Sequence, residues 1–157
     1  LDVTDTCTVT ASSFQFSGGK VQGAGTFTVE TFLDWDGGGT MYGPGTTVIS
    51  TGAVAEVSGV SAGNGGFRGR IVENHGTFNV TTGGRFDWGG DDTQFNNRSD
   101  GTFDIQTDGE ILNYGRGTPV LNNEGTLLKS AGTGEYRFNG AQVNNSGLVQ
   151  STSGTLR

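Results

Sequence analysis

A short phrase, glycine then threonine then an alternating apolar pair, returns along the whole chain. It reads GTFTV at Gly25, GTTVI at Gly45, GTFNV at Gly76, GTFDI at Gly101 and GTLLK at Gly125, with a degenerate GLVQS at Gly147. The copies stand roughly 20 to 30 residues apart, the spacing of architectures in which each unit stacks on the one before it. Inside a copy the period is two. Phe27/Val29, Phe78/Val80 and Phe103/Ile105 face one way, while Thr26, Thr77 and Thr102 face the other. Such alternation marks a strand with one apolar face.

A second strand-like phrase follows each first one: FQFSG, LDWDG, AEVSG, FDWGG, LNYGR and YRFNG. Its inward pairs are Phe14/Phe16, Leu33/Trp35, Ala55/Val57, Phe86/Trp88, Leu112/Tyr114 and Tyr136/Phe138. Between them stand Gln15, Asp34, Glu56, Asp87, Asn113 and Arg137, all polar and all expected to point outward in one row. A third short segment carries Val21, Met41, Val72, Phe95, Leu121 and Val143. Near its end lies a column of Gly23, Gly43, Asn74, Asn123 and Asn145. Gly and Asn accept a left-handed backbone most readily, so this column reads as a corner. Stacked asparagines can also hydrogen-bond from coil to coil.

The pattern predicts an all-β protein: a right-handed parallel β-helix (β-solenoid) of about six coils with three short strands per coil. The whole chain, 1–157, forms a single repeat domain. A helical fold fails on its 30 glycines, each costing a helix interior ~1 kcal/mol. Only 31% of residues are hydrophobic, which often means disorder. Disordered chains, however, are rich in charge and proline and poor in aromatics. Here there are 2 prolines, 16% charged residues and 10% aromatics, as in an ordered, turn-rich β protein. Trp35 and Trp88 fall at core positions of the alternation. Cys7 is the only cysteine, so it has no internal disulfide partner and reads as a buried thiol.

Two insertions break the regularity, VSAGNGGFRGR (residues 60–70) and DDTQFNNRSD (residues 91–100). Both are expected as loops, where repeat proteins often carry binding function. His75, the only histidine, sits at a corner beside Asn74 and reads as exposed and structural.

The phrases NNEGTL, NNSGLV and GTFDI resemble the β-helical repeat regions of large secreted and cell-surface bacterial proteins. The resemblance spans nearly the whole chain and is one of repeat grammar. It implies a secreted or cell-surface location and a passive or binding role. The function expected from it is an extracellular structural or adhesive module, one able to self-associate end to end into a fibre. The alternative is a carbohydrate-binding or polysaccharide-degrading β-helix domain. The chain begins at Leu1 without Met, and neither end reads as a cap, so a processed piece of a longer rod is expected.

The net charge of −7 and pI near 4.4 disfavour nucleic acid, whose phosphates need a basic surface. No stretch has the ~18 apolar residues of a membrane-inserting helix. The partners left are a second copy or flanking repeats meeting the ends, or a surface polysaccharide. No cofactor is required by any motif. One metal is a candidate: if the outward row stacks, Asp34, Glu56 and Asp87 lie on consecutive coils ~4.8 Å apart. Like charges so placed repel and invite a counter-ion, such as a weakly held Ca²⁺. The same acids also admit a solvated stripe or a glycosidase-like pair. With no histidine near the stripe and little cleft on a short rod, catalysis is the weakest of these readings.

Overall fold

The computed structural model describes residues 1–10, 12–59, 65–90, 92–115 and 117–157. Every regular element among them is a strand, and the strands form three sheets of seven. Sheet I stacks Thr6–Val9, Thr26–Val29, Thr46–Ile49, Ile71–Asn74, Gln94–Asn97, Val120–Asn123 and Gln142–Asn145. Sheet II stacks Phe14–Gln15, Phe32–Trp35, Val54–Val57, Thr77–Val80, Thr102–Ile105, Thr126–Lys129 and Leu148–Ser151. Sheet III stacks Lys20–Gln22, Thr40–Tyr42, Gly66–Arg68, Gly84–Gly89, Gly109–Asn113, Glu135–Asn139 and Thr155–Leu156. Each strand pairs in parallel with its counterpart one coil away, as in Phe27 with Thr47 and Phe78 with Phe103. The expected parallel β-solenoid is the fold, and seven rungs at ~4.8 Å make a stack about 30 Å long.

Alternation builds the core. In sheet II the column Leu33, Ala55, Phe78, Phe103 and Leu127 faces inward and is buried, while Asp34, Glu56 and Asn79 face out. Trp35 and Trp88 are fully buried, as their positions predict, and Cys7 packs half-buried against the N-terminal end of the core.

The register departs from the sequence pattern at one place. GTFTV and GTTVI lie in sheet I, whereas GTFNV, GTFDI, GTLLK and GLVQS lie in sheet II. The cause is the first insertion, whose second half is a strand. Gly66–Arg68 pairs with Thr40–Tyr42 below and Gly84–Gly89 above, and this extra strand advances every later phrase by one face of the solenoid. A glycine–threonine–apolar phrase fits any face, so its recurrence does not reveal the slip. Residues 60–64 of that insertion lie outside the described residues, as does residue 91 of the second, which otherwise supplies the sheet I strand Gln94–Asn97.

Phe67 is the reason the extra strand holds. It is 1% exposed, and its ring centroid lies 5.4 Å from Trp35, 5.5 Å from Phe86, 5.9 Å from Trp88, 6.0 Å from Phe78 and 6.2 Å from Phe95. Rings from all three sheets meet on it.

From the fourth rung onward, sheet I ends in asparagine. The Asn74 Nδ2 donates to Asn97 Oδ1 (2.8 Å), Asn97 Nδ2 to Asn123 Oδ1 (2.7 Å) and Asn123 Nδ2 to Asn145 Oδ1 (2.6 Å). A second, outward ladder runs with opposite polarity. The Asn144 Nδ2 donates to Asn122 Oδ1 (2.8 Å), Asn122 Nδ2 to Asn96 Oδ1 (2.8 Å) and Asn96 Nδ2 to Glu73 Oε1 (2.8 Å). The inner asparagines are strand residues at ordinary φ, not left-handed corners. Among the described non-glycine residues only Asp92 has positive φ. Gly23 and Gly43, which the sequence groups with them, do turn left-handed, at φ 103° and 93°.

Two cations are buried where coils turn. Arg70 donates to Thr47 Oγ1 (2.8 Å) and to the carbonyls of Thr46 (2.9 Å) and Gly23 (3.3 Å), and burial pushes its pKa down. Lys129 follows Trp35, Val57, Val80 and Ile105 in an inward column. Its Nζ donates to the carbonyls of Thr107, Ala131 and Gly132 and to Asp108 Oδ1 at 2.9 Å. The ammonium satisfies carbonyls that a hydrocarbon at this position would leave bare.

The Lys129 hydrogen bond, with help from the Gly134 N–H, holds the Asp108 carboxyl below the ordinary carboxylate range. Thr51 and then His75 do the same for Asp100, and Arg137 for Glu135. A carboxyl whose pKa is lower folded than unfolded contributes stability above its unfolded pKa, and loses it as pH falls through the folded value. The melting temperature is therefore expected to be level near neutrality and to fall below about pH 4. The acid-side fall is expected to shrink in Asp108→Asn, measured by circular-dichroism melts across pH; an unchanged profile contradicts the assignment.

Candidate functional site

The structure brings together two of the three acids singled out in the sequence. Along the outward face of sheet II, Gln15 pairs with Asp34, Asp34 with Glu56, Glu56 with Asn79 and Asn79 with Asp104. Asp87 lies elsewhere, in sheet III between Gly66 and Leu112, fully buried and hydrogen-bonded by the Arg85 guanidinium. Asn113 and Arg137 are likewise in sheet III, beside Trp88 and Glu110. The expected outward row therefore splits at the phase slip, and Asn79 occupies the rung assigned to Asp87. Among the described residues no group of three or more His, Cys, Asp or Glu is placed to hold a metal ion. His75 is partly exposed, not fully so as expected, and its Nδ1 lies 2.9 Å from Asp100 Oδ1, while Thr51 donates to Asp100 Oδ2. This ties three consecutive coils together at a corner.

Two other features stand out. The first is the C-terminal end face. Val143 continues the inward column of Phe95 and Leu121, and Val149 that of Phe103 and Leu127, yet they are 40% and 47% exposed. Leu148, 53% exposed, lies on the outward flank above Thr126 and is not part of that end face. The inner amide ladder opens here too: Asn145 Nδ2 donates only to its neighbour Gly147 O (3.1 Å), where earlier rungs also donate to the next coil.

The second is the outward face of sheet III. Tyr42 pairs with Arg68 and Arg68 with Gly89, and Tyr114 hydrogen-bonds onto the Trp88 carbonyl in the next coil. Gly89 carries no side chain, and a Cβ there would meet the Tyr114 carbonyl at 2.3 Å. Arg68 and Tyr114 therefore meet across the gap, with the guanidinium 5.2 Å from the ring centroid; Arg85 approaches the same ring at 4.9 Å. The alternation in the sequence assigns Tyr114 inward with Leu112. In the structure Ile111 is the inward residue, stacked between Phe86 and Phe138, and Tyr114 is 52% exposed. The run Ile111, Leu112, Asn113, Tyr114 fits either register, and only the neighbouring coils choose. Arg68 gives no signal in the sequence because it lies in the insertion read as a loop.

No family model, curated protein or solved structure matches the chain.

Proposed function

We propose that this chain is a structural module of an extracellular protein, a segment of rod that continues by strand pairing through its C-terminal face and leaves its flanks free for adhesion. The observation that carries the reading is that end face. Val143 and Val149 leave the ends of two inward columns uncovered, on strands with one unpaired edge. Unpaired edges of this kind recruit further strands. The polarised amide ladder supports the same reading, since the Asn145 amide is oriented as the donor of a further rung. The acidic, Gly-, Thr- and Asn-rich composition fits an exported protein.

The isolated chain is expected to associate end to end as concentration rises, giving rods in negative stain and concentration-dependent sedimentation. Val149→Asp is expected to stay monomeric and folded with some loss of stability, since Val149 caps Leu127 in the inward column; circular-dichroism melts check that the fold is kept. A wild-type chain that remains monomeric at every concentration refutes the reading.

A further inference from the structure

We infer that the outward face of sheet III between Tyr42 and Tyr114 is a binding site for an extended polysaccharide carrying a carboxylated sugar. The site goes beyond the structural reading and lies on the flank, away from the end face.

The cleft has a volume of about 400 Å³. Its walls are Tyr42 and Tyr114, 49% and 52% exposed, with Arg68 between them and Asp92 at the edge. The tyrosines stand three rungs apart, which at ~4.8 Å per rung is about 14 Å. Gly43, Gly69, Gly90 and Gly115 turn the chain along the cleft at positive φ and put no side chain over it.

Arg68 is the decisive residue. Every other described arginine has a hydrogen-bond partner: Arg70 has carbonyls and a hydroxyl, Arg85 has Asp87, Arg98 has Glu73 and Glu124, and Arg137 and Arg157 have Glu135. Arg68 has none among the described residues, and its Nε is buried without an acceptor. The buried Nε is closed to a ligand, but the two terminal amino groups are not, and as a planar pair of donors they match a carboxylate best. Asp92, on the same cleft, also has no partner among the described residues, so it is an acceptor for hydroxyl groups. A ligand that meets all of these needs a carboxylate for Arg68, hydroxyls for Asp92 and C–H surface for the parts of the tyrosines left exposed beside Lys20, which lies 5.5 Å from the Tyr42 centroid, and beside Arg68 and Arg85 at Tyr114. A chain of sugars including a uronic acid has all three.

Rival occupants fit less well. A peptide strand needs an open sheet edge, and here every strand between Thr40–Tyr42 and Gly109–Asn113 is already paired on both sides. Nucleic acid is opposed by the net charge of −7. The larger trough beside it, lined by Arg85, Glu110, Glu135 and Arg137, already pairs each guanidinium with a carboxylate, Arg85 with Asp87 and Arg137 with Glu135, although Arg85 Nη2 is left without a partner.

The test is calorimetric titration in the Val149→Asp background, which removes end-to-end association as a confounder. The probes are hyaluronan, galacturonate and alginate oligosaccharides, with a neutral chitin oligosaccharide and inorganic sulfate as comparators. At least one uronate-containing oligosaccharide is expected to bind saturably, and more tightly than either comparator. Arg68→Gln is expected to weaken it about tenfold or more, as loss of a charged hydrogen bond does. Tyr114→Ala weakens it likewise, Tyr114→Phe retains most affinity, and Arg137→Gln changes nothing. The inference is overturned if none of the three uronates binds, if the chitin oligosaccharide or sulfate binds as tightly, or if Arg68→Gln leaves affinity unchanged.

Discussion

Replacing Phe67 by alanine is expected to cost about 3–5 kcal/mol, a large part of the ~5–15 kcal/mol that holds a typical domain together. The ring is the point where Trp35, Phe78, Phe86, Trp88 and Phe95 converge, and the coils lie too close for them to collapse into the space it leaves. Its strand is also short. Gly66–Arg68 has glycine on one side of Phe67 and, on the other, an arginine whose guanidinium has no hydrogen-bond partner among the described residues, so Phe67 supplies nearly all of that strand's buried apolar surface. Denaturant unfolding of Phe67→Ala should show a much lower midpoint, with the near-ultraviolet signal of the two tryptophans weakened even before unfolding. Phe67→Leu, which keeps most of the volume, should lose about 1.5 kcal/mol or less. An alanine variant that melts like the wild type would mean that the extra strand is held by something else.

The second large effect is expected at Asn97. Its side chain is fully buried and satisfied at both ends: Asn74 Nδ2 donates to its Oδ1, and its Nδ2 donates to Asn123 Oδ1 and to the Thr126 carbonyl at 2.9 Å. Leucine is similar in size and more apolar, so burial alone favours it. Hydrogen bonding decides the sign. With leucine present, Asn123 Oδ1 and Thr126 O lose their donor and Asn74 Nδ2 loses one acceptor, each in the core. An orphaned buried polar group costs about 1–3 kcal/mol, so Asn97→Leu is expected to destabilise by about 3 kcal/mol or more. Asn122 has the same residue type and the same ladder pattern on the outer face, where water can replace the lost partner. Asn122→Ala is expected to cost about 1 kcal/mol or less. Equal losses at the two positions would refute the distinction between the ladders.

The strands themselves are legible in the sequence because period-two alternation is a local property. Phe27, Leu33, Phe78 and Phe103 point inward wherever the strand sits. The asparagine ladder is legible only in part: Asn74, Asn123 and Asn145 each stand two residues before a glycine, but Asn97 stands four before Gly101, so its place in the column shows only in the structure. Which strands become neighbours is a different matter. Asp34 and Asp87 occupy the same place in the same phrase, yet one is half-buried on the flank of sheet II and the other fully buried in sheet III beside Arg85. Nothing in LDWDG or FDWGG distinguishes them. The difference comes from Gly66–Arg68, a strand too short and too glycine-flanked to show alternation. Tyr114 is misplaced by the pattern for a related reason, because a run of apolar residues fits two registers until a neighbouring coil excludes one.

From its own pattern the chain specified a parallel coil of three faces, with aromatic and aliphatic side chains inside and threonine, asparagine and acid outside, because side-chain alternation and glycine turns act over a few residues. Only the folded stack decided phase: which face each phrase occupies, which acids meet, and that Arg68 and Tyr114 confront one another across Gly89. Those relations depend on strand pairing between residues more than twenty positions apart. Pairing there is selected by how Phe67 fills the interior, a packing constraint that no short stretch of sequence contains.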